Sequence, residues 1–259
     1  MPTPTRRSLI AFQTILYREV YRFTRIWPQT VLPAAVNTSL YFLIFGSLMG
    51  DRIGPMRGIS YMDYIVPGVV LMSVITNAYS NVVSSFYSSK FQRNIEELIA
   101  APVPDWAILA GYVGGGVARG LAVGSLVMAI GSGFANLGFL HPGIILTVVV
   151  LTSTLFSLAG FINALFANSF DDISIVPNFV LTPLVYLGGV FYSIDLLPTF
   201  WQKVSLGNPI VYMVSAFRYG VLGISDIEVG FALAVTAGAV GVLTLWALWL
   251  LKRGTRLKH

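Results

Sequence analysis

The chain has 259 residues, 56% of them hydrophobic and 10% charged, with a formal net charge of +5 and no cysteine. A soluble domain carries about 25% charged residues, so this composition argues against a soluble globular, disordered or DNA-binding protein. The missing thiols exclude disulfides, thiolate nucleophiles, zinc ribbons and iron–sulfur clusters.

Residues 8–25 come first. Leu9, Phe12, Leu16, Val20 and Phe23 share one helical face, and Thr14, Arg18, Arg22 and Arg25 share the opposite one. This pattern suits a helix in the cytoplasmic headgroup layer, acting either as a short anchor or as a strut that also touches a cytoplasmic partner.

A membrane helix needs about 20 mostly apolar residues, so charge-free runs locate the spans. Ile26 to Gly50 gives a first span at about 30–50, and Tyr64 to Ser89 a second at about 62–88. The second holds Ser73, Asn77, Asn81, Ser84 and Ser88 on one face. Such a stripe either packs against another helix by hydrogen bonds or lines a hydrated path. Next, Phe91, Ile95, Leu98 and Ile99 recur at helical spacing within 90–105, with Gln92, Arg93, Glu96 and Glu97 pointing elsewhere, before Ala-Pro-Val-Pro ends the pattern. A short, stiff cytoplasmic helix follows, long enough to be a docking element and not only a connector.

Gly120 to Phe170 is too long for one helix, and the turn residues of Asn136 to Gly143 divide it into spans at about 106–134 and 143–167. In the first of these, Gly111 and Gly115, and Gly116, Gly120 and Gly124, recur every four residues and allow close helix packing. Arg119 interrupts it and needs carbonyls, an acid or an anionic ligand beside it. A fifth span at about 172–192 begins at Asp171 and Asp172, plausible N-terminal caps. Residues 195–228 are apolar but broken by Pro198, Gly207, Pro209, Gly220 and Gly223 into pieces that suit re-entrant or interfacial helices. A sixth span occupies about 230–251. The domains are then a cytoplasmic segment 1–25, a transmembrane region 26–254 and a tail 255–259.

With the N-terminus inside, the inner segments hold Arg6, Arg7, Arg18, Arg22, Arg25, Lys90, Arg93, Lys252, Arg253, Arg256 and Lys258, against Arg52, Arg57, Lys203 and Arg218 outside. That excess places both termini in the cytoplasm. The first apolar run starts behind an organised basic segment and lacks a cleavage site, so it is not a signal peptide. No Walker-type phosphate loop and no zinc-binding H-E-x-x-H occurs, so no catalytic, nucleotide or metal site is expected on this chain. Every Asp and Glu is expected at or near a helix end or in a loop, which argues against a proton relay.

From Leu181 to Arg218 the residues resemble the signature of the ABC-2 type permeases, membrane subunits of ATP-driven bacterial exporters. Its aliphatic and small positions fall on Leu181, Leu184, Leu187, Gly188 and Val190. Leu197-Pro198 follows, then Pro209, Ile210 and Tyr212, with Arg218 six beyond. Residues 60–120, with Y-M-D-Y-I-V-P-G and F-Q-R-N-I-E-E-L, are similar to the YadH-type branch. The resemblance implies an all-α permease of the bacterial inner membrane, a homodimer or pseudo-dimer of six-helix subunits, each bound to a separate ATPase that carries the ATP and magnesium. It implies a coupling helix at Phe91 to Ala101, in which Gln92, Arg93, Glu96 and Glu97 make polar contacts to the ATPase and Phe91, Ile95 and Leu98 apolar ones. It also implies an amphipathic connecting helix at 8–25 and outward re-entrant helices from Leu196 to Tyr219. A secondary carrier working without ATP is the alternative.

Overall fold

The computed structural model describes residues 4–48, 50–95, 98 and 103–254, and among these it is helical with no strand beyond an isolated Met56–Ile59 bridge. Helix α1 spans Pro4–Arg25. Two short helices, α2 (Trp27–Thr30) and α3 (Leu32–Tyr41), lead into a wide π-helical stretch at Phe42–Leu48 and then α4 (Gly50–Ile53). The long helices are α5 (Tyr61–Phe91), α6 (Asp105–Ser132) and α7 (Pro142–Phe166). After them come α8 (Asp172–Val176), a second π-helical stretch at Pro177–Leu181, and α9 (Thr182–Tyr186). A 3₁₀ turn at Ile194–Leu196 precedes α10 (Thr199–Leu206), α11 (Pro209–Leu222) and α12 (Val229–Lys252).

Four of these, α5, α6, α7 and α12, are long and apolar enough to cross a membrane. They match the second, third, fourth and sixth expected spans. The first and fifth expected spans are broken instead. Pro28 and Pro33 sit in the first turns of α2 and α3, where a missing N–H is tolerated, so each opens a new helix. Pro177 opens the π-helical stretch after α8, and Pro183 lies in the first turn of α9. Each proline removes an i→i−4 bond. Pro177 leaves the Ile173 carbonyl without its helical donor, and Asn163 Nδ2 of α7 donates to that oxygen at 3.4 Å.

Helix α5 is the axis of the bundle. Its most apolar stretch is 72% buried by the rest of the chain, against 17% for α12. Val74, Val82, Phe86 and Tyr79 of α5 pack with Tyr112 and Val123 of α6, Phe161 of α7 and Phe217 of α11 in one continuous core. The α6 glycines do the packing their spacing predicts. A side chain at Gly116, Gly120 or Gly124 would collide with Ser157, Ser153 or Val74, and one at Gly111 or Gly115 with Ile15 or Glu19 of α1.

Those contacts orient α1. Ile15 meets Gly111 and Glu19 meets Gly115, so four residues along α1 match four along α6, and the two helices run side by side in the same direction. The buried face of α1 is Ile15, Glu19 and Phe23, while Leu9 of the expected apolar face is 50% exposed. A stripe chosen by hydrophobicity misplaces this face because its centre is a carboxylate.

Candidate functional site

Three polar groupings sit on this frame, one where α1 joins α5 and α6, one at the C-terminal end of α5, and one at the opposite end of the bundle.

In the first, Glu19 is completely buried. It accepts from Ser85 Oγ of α5 at 2.7 Å and pairs with Arg22 at 3.3 Å and Arg18 at 3.4 Å. Arg18 also donates to Tyr112 Oη of α6 at 2.6 Å, and Tyr112 donates on to Ser89 at 3.0 Å. Arg22 reaches Asn81 of α5, donating at 2.9 Å to both its backbone and side-chain oxygens. One turn away along α5, Asn77 Oδ1 accepts from Arg119 of α6 at 2.9 Å. Arg119 is therefore tied to a side-chain amide, not to backbone carbonyls or an acid. Arg25 stays exposed. The polar stripe of α5 thus divides. Asn77 and Asn81 hold arginines from two helices, whereas Ser73 and Ser84 donate to the Val69 and Ser80 carbonyls of their own helix. Glu19 corrects the expectation that every carboxylate lies at or near a helix end or in a loop, since it occupies the interior of α1.

At the C-terminal end of α5, Lys90 is buried and donates to the carbonyls of Leu165 at 2.9 Å and Ala167 at 2.8 Å. These are orphan acceptors at the C-terminal end of α7, so one ammonium ties two long helices together where they end. The expected helix from Phe91 is interrupted here. Phe91 closes α5, two-thirds exposed, with its ring 5.2 Å from Phe170. Gln92 and Arg93 then form a turn, with Arg93 at φ 60°, a backbone region costly for residues other than glycine. Helical structure resumes at Asn94, Ile95 is buried, and Leu98 packs half-buried on the core. Glu96, Glu97 and Ile99 to Pro102 lie outside the described residues.

At the far end, Arg218 of α11 is 1% exposed. It donates to the Gly189 carbonyl at 2.8 Å and to Asp226 at 3.1 Å, and its guanidinium lies 3.8 Å from the centre of the Tyr64 ring. Asp226 also pairs with Arg57 at 3.1 Å and accepts from Ser193 at 3.3 Å. Arg57 pairs in addition with Asp195 and donates to the Ser225 carbonyl at 3.0 Å. Burial is the largest influence on Arg57 and would lower its pKa. The Asp195 hydrogen bond and the charges of Asp226 and Asp195 outweigh it and raise the pKa above the ordinary guanidinium value. The other signature residues shape the chain around this clamp. Pro198 caps α10, Pro209 opens α11 behind the Asn208 cap, and Tyr212 Oη donates to the Leu206 carbonyl at 2.7 Å.

Between α5 and the broken α8–α9 segment lies a cleft of about 360 Å³ lined by Thr76, Ser80, Ser174, Asn178 and Thr182 among apolar groups. None of these five stands out in the sequence. The signal was a second polar repeat, Thr76 and Ser80, one position from the stripe of Asn77 and Asn81.

The same chain matches the ABC-2 type transporter family over residues 10–222. It is 56% identical over 249 residues to the inner membrane transport permease YadH of Escherichia coli K12, covering 95% of this chain and 97% of that protein. Nodulation protein J of Rhizobium leguminosarum bv. viciae is 23% identical over 198 residues, 75% of each chain, and that of Sinorhizobium fredii is 25% identical over 189. Four apolar helices of which α5 is the most buried, the clamp on Arg218 and a family match over most of the length lead to one assignment: this chain belongs to the ABC-2 type transporter family.

Proposed function

We propose that this chain is the permease subunit of an ATP-binding-cassette exporter in a bacterial inner membrane, with both termini cytoplasmic. It carries no phosphate-binding loop, so force reaches it from a separate ATPase that holds the ATP and magnesium. Two copies of the chain form the path, and the clefts lined by Thr76, Ser80 and Asn178 face it from each side.

The observation that carries this reading is the end of α5. Lys90 fastens it to the end of α7, and the chain reverses at Gln92 and Arg93 immediately beyond. A push on the segment that follows is transmitted to two long helices together instead of being absorbed by a slack loop. Phe91, exposed beside Phe170, offers the apolar part of the docking surface, with Gln92, Arg93, Glu96 and Glu97 the polar part.

Reversing charge at both Glu96 and Glu97 is expected to cut ATP hydrolysis by the reconstituted permease–ATPase complex severalfold, with insertion of the permease intact. Unchanged hydrolysis defeats the assignment of this segment. A P-loop ATPase encoded beside this chain should also copurify with it.

A second reading, a carrier that needs no ATP, draws on Glu19, a buried carboxylate among α1, α5 and α6. Its two arginine partners favour a fixed charge over a proton carrier. Uphill transport by vesicles holding this chain alone would decide for it.

A further inference from the structure

The grouping around Glu19 is unbalanced in charge and in hydrogen bonds. Three guanidinium groups, those of Arg18, Arg22 and Arg119, face one carboxylate. Glu19 is taken by Arg18 and Arg22, and Arg119 has no ion pair among the described residues; its bonded partner is the neutral Asn77 amide. Among the described residues, three donors at this place have no acceptor: Arg22 Nε, Arg119 Nε and Nδ2 of Asn81. Asn81 is fully buried, and its Nδ2 lies 3.5 Å from where a Cβ would stand at Gly115, beside the Glu19 side chain that fills that place. Buried donors left unpaired are costly, and more so when charged. A cluster with surplus positive charge and three idle N–H groups is complementary to an anion with several acceptor oxygens.

Depth narrows the chemistry. About 20 helical residues cross the hydrocarbon core. Counted from the outer ends of α5 at Tyr61 and α6 at Ser132, they end near Asn81 and Tyr112. In the orientation proposed above, that is the inner edge of the hydrocarbon core, which puts Asn81 at the edge and Arg119, seven residues outward from Tyr112, within the core, so a bound phosphate is drawn inward from the headgroup layer. Access exists from the side, because Arg22 keeps 31% and Arg18 49% of its side chain exposed, and Asn77 and Arg119 are only partly buried.

We propose that Arg22, Asn81 and Arg119 form a phosphate-binding site at the inner leaflet, filled by the headgroup of an anionic phospholipid or by a free phosphate group. The depth estimate rests on the permease reading; the site itself rests on the donors. Bound phosphate would lock α1 onto α5 and α6 and so join the three helices nearest the cytoplasmic turn.

The test uses the full chain, delipidated in a mild detergent, with unfolding followed by tryptophan fluorescence. Phosphatidylglycerol is expected to raise the melting temperature by several degrees, and diacylglycerol, which has the same tails and no phosphate, is not. If inorganic phosphate raises it as well, the site takes the free anion; if only the lipid does, the headgroup is held together with its chains. Asn81→Asp places a carboxylate beside Arg22, keeps the accepting oxygen and removes the idle amide. This variant should fold and lose the response, and Arg119→Gln should also lose it. Should Asn81→Asp fail to fold, Arg119→Lys, which keeps the charge and removes Nε, is expected to weaken the response several-fold. No response in the parent chain, an equal response to diacylglycerol, or a full response in the variants overturns the proposal. Neither the ATPase nor any cargo enters this measurement, so its failure leaves the permease reading standing.

Discussion

Arg218 and Glu19 are both buried charges on helices, and both are held by groups from other elements. Arg218 binds a carboxylate, a carbonyl and an aromatic face, from a loop, the segment after α9, and α5. Removing one partner of a buried pair costs about 3–5 kcal/mol, because the other is left uncompensated. Arg218→Ala should therefore lower the unfolding free energy of the detergent-solubilised chain by about that amount. Arg57→Ala, at the solvent-facing edge of the same cluster, should cost no more than about 1 kcal/mol. Denaturant titration of the two variants measures the contrast, and equal losses would mean that Asp226 relies on both arginines alike. Lys90→Met should cost about 1–3 kcal/mol by leaving the last α7 carbonyls without a donor. In hydrogen exchange, the loss should concentrate at the ends of α5 and α7.

At the scale of elements, what counts is how closely α1 can approach α6. Gly115→Val would place carbon where Glu19 now lies, and such overpacking costs about 1–3 kcal/mol. The expected outcome is release of α1, seen as new protease cleavage near residue 25. The equivalent change at Gly238 of α12, which has open space around it, should have no effect. The long helices were legible as charge-free runs, because in a bilayer apolar length is itself the structural requirement. The broken first and fifth segments were not, since hydropathy counts side chains while the breaks come from backbone hydrogen bonds lost at proline. Arg119 was conspicuous as a lone charge in an apolar run. Glu19 was hidden among arginines on a helix whose faces had been ranked by hydrophobicity, and Lys90 looked like one more cytoplasmic charge.

For the whole molecule, orientation is the property most open to measurement. Since the chain contains no cysteine, a single introduced thiol reports one position. Leu196→Cys should react with an impermeant maleimide added to intact cells, and Gln92→Cys only after the cells are opened. The reverse pattern would invert the molecule and place the Arg218 clamp on the cytoplasmic side. The exposed apolar faces fit a body surrounded by lipid. Val242, Leu245 and Trp249 on α12, and Val36, Leu40 and Leu43 on α3 and the π-helical stretch after it, lie open.

The seat of α1 also fixes an order of events during synthesis. This helix leaves the ribosome before the helices that seat it, for Ser85, which holds Glu19, emerges 66 residues later, and Gly111 and Gly115 later still. Until then the N-terminal segment has nowhere to dock and must wait at the membrane surface with its carboxylate hydrated. Nascent chains arrested before residue 105 should leave it open to added protease, and chains arrested well past α6 should shield it.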